Sequence, residues 1–301
     1  MRRGWGILIA MALILTGALA ACTPIAPESG LLGTGRFELR IDGREPIPVY
    51  YVTGAHATSQ ATIIVVMHGV ERNAAEYRDS WSDLVRDRDI VVVAPQFGDD
   101  DFPDAENYNL GGLTDADGDD QDASRVLDGA YGYIEPLFEH VRGRIGGDQT
   151  GFSMFGHSAG AQFVHRYIEF VPHAPVDVAV AANAGWYTMP DESARFPYGL
   201  DGDDAPAFDA AAAFGRHLVV LLGTDDVGTK NLRRDDDAGA QGHTRLDRGR
   251  EFFERAVRAA ERQNLPFRWE MHEVPGVDHD QVAMAAAAVP FLTASGDPAG
   301  G

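Results

Sequence analysis

The chain has 301 residues, 45% of them hydrophobic, enough for one sizeable core. It carries 46 Asp and Glu against 25 Lys and Arg, a formal net charge of −21 that repels nucleic acid phosphates and anionic headgroups and so excludes both as charge-driven partners. A single cysteine excludes an intrachain disulfide, and no His/Cys cluster suggests zinc.

In chain order, Arg2 and Arg3 precede an apolar run from Ile7 to Ala21 that is too short to span a bilayer comfortably. This reads as an export signal over residues 1–21. Leu19-Ala20-Ala21-Cys22 fits the bacterial lipobox, in which cleavage before the cysteine leaves a thiol that is lipidated. Losing Arg2 and Arg3 takes the charge from −21 to −23. Two or more acyl chains anchor stably where one is marginal, so the expected location is the membrane surface of the cell envelope, with Cys22 as the anchor. Residues 22–35, rich in Pro and Gly, read as a flexible tether, 36–294 as one folded domain, and 295–301 as a disordered tail.

"RFELRIDG" (36–43) and "IPVYYVTG" (47–54) alternate as an antiparallel edge pair does, whereas "ATIIVVMHG" (61–69) and "DIVVVAPQF" (89–97) are continuous apolar runs suited to buried central strands. From Asp99 to Asp122 there are ten acids and no Lys or Arg. Within it, "DADGDDQD" resembles the start of a calcium loop, with Asp115, Asp117 and Asp119 at the first ligand positions. Asp120 stands where the turn glycine belongs and Val126 replaces the bidentate Glu, which favours a solvated acidic loop with no metal. A helix is predicted over Asp122 to Arg144, kinked or divided at Pro136.

Next come a strand, "TGFSMFGHS" (150–158), and a helix, "AGAQFVHRYIEF" (159–170). "VDVAVAANAG" (176–185), "RHLVVLLG" (216–223) and "PFRWEMHEVPG" (266–276) supply further strands, with helices predicted over Thr244 to Asn264 and Gln281 to Leu292. The alternation predicts an α/β fold: a mostly parallel central sheet with an antiparallel N-terminal edge and helices on both faces.

Where "TGFSMFGHS" meets the next helix, Gly156, Ser158 and Gly160 form G-x-S-x-G. A serine hydroxyl needs a base to take its proton and a sharp turn to expose it, and a strand before and a helix after are the context in which this motif marks a nucleophile. On these residues the chain resembles the α/β-hydrolases, and it is similar to bacterial esterases and depolymerase-like polyester hydrolases that carry "HG" after an early strand, here His68-Gly69. The resemblance implies the order Ser, acid, His. In Gly223-Thr224-Asp225-Asp226 the family's G-x-x-D selects Asp226 as the acid, with Asp225 as the competitor. His279, in "VPGVDHDQVAM", follows both in the loop after the last strand and is the implied base. By the same analogy the oxyanion donors are the backbone N–H groups of Ala159 and Val70, with Glu71 as the alternative to Val70, because the longer H-G-G-G form is missing.

Trp186 and Tyr187, in "NAGWYTMP", read equally as substrate contacts and as packing. The segment from there to Ala213 is rich in Asp, Pro and Ala, a poor interfacial lid, and suggests an open cleft. The implied function is hydrolysis of small or polymeric carboxylic esters through an acyl-enzyme, with no cofactor because water is the second substrate. A serine peptidase or amidase of the same fold and a non-catalytic binding lipoprotein are the alternatives.

Overall fold

The computed structural model describes residues 1, 30–113 and 125–293. The apolar runs become strands: β1 (Thr34–Leu39), β2 (Ile47–Thr53), β3 (Thr62–Met67), β4 (Ile90–Pro95), β5 (Phe152–His157), β6 (Val176–Ala182), β7 (Leu218–Gly223) and β8 (Glu270–Val274). They form one sheet in the order β1-β2-β4-β3-β5-β6-β7-β8. The first two strands pair antiparallel, β2 runs antiparallel to β4, and every other pairing is parallel. This is the expected α/β-hydrolase architecture.

Parallel neighbours need long crossovers, and helices supply most of them. Between β3 and β4 lie α1 (Ala74–Ser80) and α2 (Ser82–Val85); α3 (Asp104–Asn107) and α4 (Ile134–Ile145) precede β5. The rest are α5 (Ala159–Phe170), α6 (Ala210–Phe214), α7 (Asp236–Ala240), α8 (Arg245–Gln263) and α9 (Gln281–Leu292). The central strands are apolar on both sides because alternate residues feed two cores. Ile63, Val65 and Met67 of β3 belong to the same core as Phe138 of α4, Phe163 of α5 and Phe252 of α8. Ile64 and Val66 face Tyr77, Trp81 and Val85 of the α1–α2 segment and Met284, Ala288 and Leu292 of α9.

Pro136 opens a helix instead of dividing one. It is the third residue of α4, in the first turn, where its missing N–H has no intrahelical acceptor to lose. Two short 3-10 turns, Arg125–Leu127 and Ala130–Tyr133, occupy the stretch predicted as the earlier part of that helix. The crossover helices α1 and α2, 7 and 4 residues long, are shorter than the window in which helical periodicity is legible, and the sequence reading has no counterpart for them.

The folded domain also begins before residue 36. Leu31 is buried, the Thr53 N–H donates to the Gly33 carbonyl (2.8 Å) and the Gly33 N–H donates to Thr53 Oγ1 (2.8 Å), so the last residues of the expected tether belong to the sheet edge. Cys22, the export signal beyond Met1, the acidic loop with Asp115, Asp117 and Asp119, and the tail 295–301 lie outside the described residues. Among the described residues no group of three or more His, Cys, Asp or Glu is placed to hold a metal ion, and no helix is long and apolar enough to cross a membrane.

Candidate active site

β5 ends at His157 and α5 begins at Ala159, so Ser158 alone makes the turn between them. Its φ of +59° lies in a region L residues avoid, and the strain is held by its N–H donating to the Ala182 carbonyl (3.0 Å) and its carbonyl accepting from Gln162 N–H (3.2 Å). The flanking glycines answer a different need. A Cβ on Gly156 would lie 2.1 Å from the Gly160 carbonyl oxygen, and one on Gly160 would lie 2.1 Å from the Met67 carbonyl oxygen. Without side chains there, α5 starts pressed against the ends of β3 and β5.

His279 Nε2 lies 3.0 Å from Ser158 Oγ, and His279 Nδ1 lies 2.7 Å from Asp226 Oδ2. Asp226 is fully buried in the loop after β7. Its neighbour Asp225 is exposed, accepts the Thr224 hydroxyl (3.2 Å) and does not reach the imidazole, so the structure puts Asp226 and not Asp225 behind the histidine. A carboxylate only accepts hydrogen bonds, which places the imidazole proton on Nδ1 and leaves Nε2 to accept from the serine hydroxyl. The histidine's loop is fixed on both sides: His279 N–H donates to Asp278 Oδ1 (2.7 Å), and Asp280 caps α9 by accepting from Val282 N–H (2.8 Å).

Two buried residues missed in the sequence tie these loops together. Asn183, at φ +51° just after β6, accepts the Gly223 N–H (2.8 Å) and donates to the Asp278 carbonyl (3.4 Å), joining the acid loop to the histidine loop. Its signal was an asparagine, tolerant of the left-handed region, immediately past a strand. Arg245 donates from Nη1 to Asp226 Oδ1 (3.2 Å) and from Nη2 to the Lys230 carbonyl (2.7 Å). Its signal was a cation at the first residue of a helix, where the helix dipole disfavours it.

Ala159, as the first residue of α5, has an N–H with no intrahelical acceptor. Val70 sits in the turn after β3, which Arg72 N–H closes by donating to the Gly69 carbonyl (3.2 Å). His68 braces that turn: Nδ1 donates to the Gly69 carbonyl (3.0 Å) and Nε2 accepts from Phe97 N–H (3.1 Å), while burial drives its pKa down to about 3 and keeps it neutral. His157, whose ring centroid is 4.4 Å from that of His279, bonds Tyr77 Oη through Nδ1 (3.2 Å). Burial first, then repulsion from His279 when that ring is protonated and from Arg245, hold it well below the usual histidine range.

Trp186 and Tyr187 are interior packing residues. Tyr187 stacks on Phe252 (ring centroids 4.4 Å apart), and the Trp186 ring lies against the guanidinium groups of Arg166 (4.1 Å) and Arg233 (5.0 Å). With only 3% of Trp186 and none of Tyr187 exposed, neither side chain forms the wall of an open cleft. The turn after β3, Ser158, Asp226 and His279 all lie at the C-terminal ends of parallel strands, where such sheets carry their sites.

The chain is similar along most of its length to two solved structures. Poly(aspartic acid) hydrolase-1 from Sphingomonas sp. KT-1 is 36% identical with a TM-score of 0.80, covering 87% of this chain and 98% of its own. The poly(3-hydroxybutyrate) depolymerase from Bordetella parapertussis is 33% identical with a TM-score of 0.79, covering 89% and 93%. The S-formylglutathione hydrolase from Agrobacterium tumefaciens, 16% identical with a TM-score of 0.52 over 87% and 95% of the two chains, shares the fold. No protein-family model matches the sequence, and no curated protein does. With more than 30% identity to the first two across nearly their whole length, the chain belongs to the family of α/β-hydrolase-fold enzymes that contains them, and it is a hydrolase.

Proposed function

We propose that this hydrolase cleaves carboxylic esters through an acyl-enzyme on Ser158. The observation that carries the reading is the continuous hydrogen-bonded path from Ser158 Oγ through His279 to Asp226, 3.0 and 2.7 Å long in its two links. As Ser158 Oγ attacks the ester carbon, its proton passes to His279 Nε2 and the carbonyl electron pair moves onto oxygen, toward the N–H groups of Ala159 and Val70. Collapse of the tetrahedral intermediate breaks the bond to the alcohol, and His279 returns the proton to that departing oxygen. Water, activated by the same imidazole, then releases the acid and restores Ser158.

Exposed apolar side chains support a neutral substrate. Val70, Val227 and Val282 are 54%, 55% and 52% exposed, and they sit on the oxyanion turn, beside Asp226 and just after His279. Exposed apolar side chains next in sequence to the site residues, on a chain of net charge −21, suit an uncharged ester or polyester better than a polyanion. A second reading, amide hydrolysis, has one specific support, the 36% identity to a poly(aspartic acid) hydrolase. Through Cys22 the enzyme is proposed to be held at a membrane surface, and Cys22→Ser is expected to move it from the membrane fraction to the soluble fraction.

The test is labelling by a fluorophosphonate, expected for the wild type and lost in Ser158→Ala. Folded wild-type protein that takes no label overturns the acyl-enzyme. Release of acid from p-nitrophenyl butyrate and a poly(3-hydroxybutyrate) film, with poly(aspartic acid) left intact, is the expected substrate pattern; the reverse pattern moves the assignment to amides.

A further inference from the structure

Arg245 stands directly behind the acid. The first residue of α8 and 2% exposed, it bonds the carboxylate oxygen that His279 leaves free, so Asp226 has one oxygen on the imidazole and the other on a guanidinium. A fully buried carboxylate opposite a neutral imidazole lacks a countercharge until the histidine gains a proton, and Arg245 supplies it in the resting state. This alters the electrostatics of catalysis. In a bare Asp-His pair, protonating the histidine neutralises the site; with Arg245 present the resting site is already neutral and protonation adds a net positive charge.

We propose that Arg245 is a positioning residue of the triad: it fixes the Asp226 carboxylate and, by its charge, keeps His279 in the base form at lower pH than Asp226 alone would allow. This rests on reading Ser158, His279 and Asp226 as the reacting triad. The charge of Arg245 is in direct contact with the pair: its Nη1 lies 3.2 Å from one Asp226 oxygen and His279 Nδ1 lies 2.7 Å from the other. The other groups facing the pair are Tyr187, whose hydroxyl senses the Asp226 charge; His157 from β5, with Tyr77 of α1 behind it; and, on the histidine's own loop, Asp278 and Asp280, both bonded to backbone N–H groups. All of them persist when Arg245 is changed, so a difference between variants isolates the arginine.

The experiment is the pH profile of kcat/KM on p-nitrophenyl butyrate for the wild type, Arg245→Gln and Arg245→Lys. Removing a cation two hydrogen bonds away is expected to move the acid limb of Arg245→Gln upward by about one pH unit, whereas Arg245→Lys keeps the limb near that of the wild type with a lower kcat. A folded Arg245→Gln with reduced kcat and an unmoved limb overturns the proposal, because a brace for the Gly228 and Lys230 carbonyls alone would give that result. Should Arg245→Gln fail to fold, Asp226→Asn/Arg245→Gln, which leaves no charge buried without a partner, is compared with Asp226→Asn by NMR titration of His279: a higher midpoint in the double variant supports the proposal and equal midpoints overturn it. A wild type that takes no fluorophosphonate sinks the triad reading itself. A labelled, active wild type with an unmoved limb in the variant sinks only the role of Arg245.

Discussion

Adjacent aspartates in one loop have opposite surroundings, Asp226 enclosed between His279 and Arg245 and Asp225 open to solvent. Asp226→Asn is expected to lower kcat about 10³- to 10⁴-fold on a p-nitrophenyl ester, because an amide no longer fixes the imidazole proton on Nδ1, while Asp225→Asn keeps near wild-type turnover. Loss of activity in Asp225→Asn alone would reverse the assignment. The family's G-x-x-D pattern favours Asp226 but leaves Asp225 as a competitor, because loop geometry is not readable from adjacent identical residues; the hydrogen bond to His279 separates them. Asn183 and Arg245 each carried a local signal but not the identity of their partners, because each acts across loops that only the assembled sheet brings together: Asn183 reaches Asp278 and Arg245 reaches Asp226, 95 and 19 residues away.

Among the elements, the elbow is the most tightly specified and gives the sharpest contrast between glycines. Gly160→Ala is expected to lose about 3 kcal/mol or more, because the new methyl meets strand backbone that has no room to give. Gly143, inside α4 with nothing within 4 Å of its missing Cβ, is expected to gain about 0.5–1 kcal/mol on change to Ala. Denaturant unfolding of both variants checks the pair, and a Gly160→Ala as stable as the wild type would remove the close-approach argument. The bounds of α5 and α9 were readable from the sequence because each is bordered by a sharp chemical signal, the Gly-Ser turn and the Asp280 cap. The order of the strands was not. That β4 lies outside β3, so that the chain reverses direction across the sheet before β5 forms, depends on which edges pair, and apolar runs of similar composition carry no such label.

Across the molecule, three buried neutral histidines stand among the described residues, and they make its stability depend on pH. Burial holds His68, His157 and His165 below the ordinary histidine value, so the unfolded chain takes up protons that the native state refuses. A lowered folded pKa gives stability that is present above the unfolded value and is lost as pH falls toward the folded one. For His68 that window runs from 6.5 down to about 3, and the loss reaches about 2 kcal/mol at pH 5. Buried Glu169 works in the opposite direction, since burial raises its carboxyl and its share of stability is lost as pH rises. Comparing unfolding free energies at pH 7 and pH 5 in the wild type and His68→Gln isolates the histidine: the variant is expected to be less stable at pH 7 but to lose about 2 kcal/mol less on acidification. Equal slopes would show that His68 is not the group taking up the proton.

The antiparallel edge has one further consequence. Because β1 and β4 each pair antiparallel with β2, they run in the same direction, and Thr34 enters at the end of the sheet where the parallel strands begin, with Gly30 near the Arg144 carbonyl in the last turn of α4. The loops that carry Ser158, Asp226 and His279 leave from the other end. The segment before Gly30 therefore joins the fold at the end of the sheet opposite Ser158, and under the proposed attachment through Cys22 that end is the one nearer the anchor in the chain.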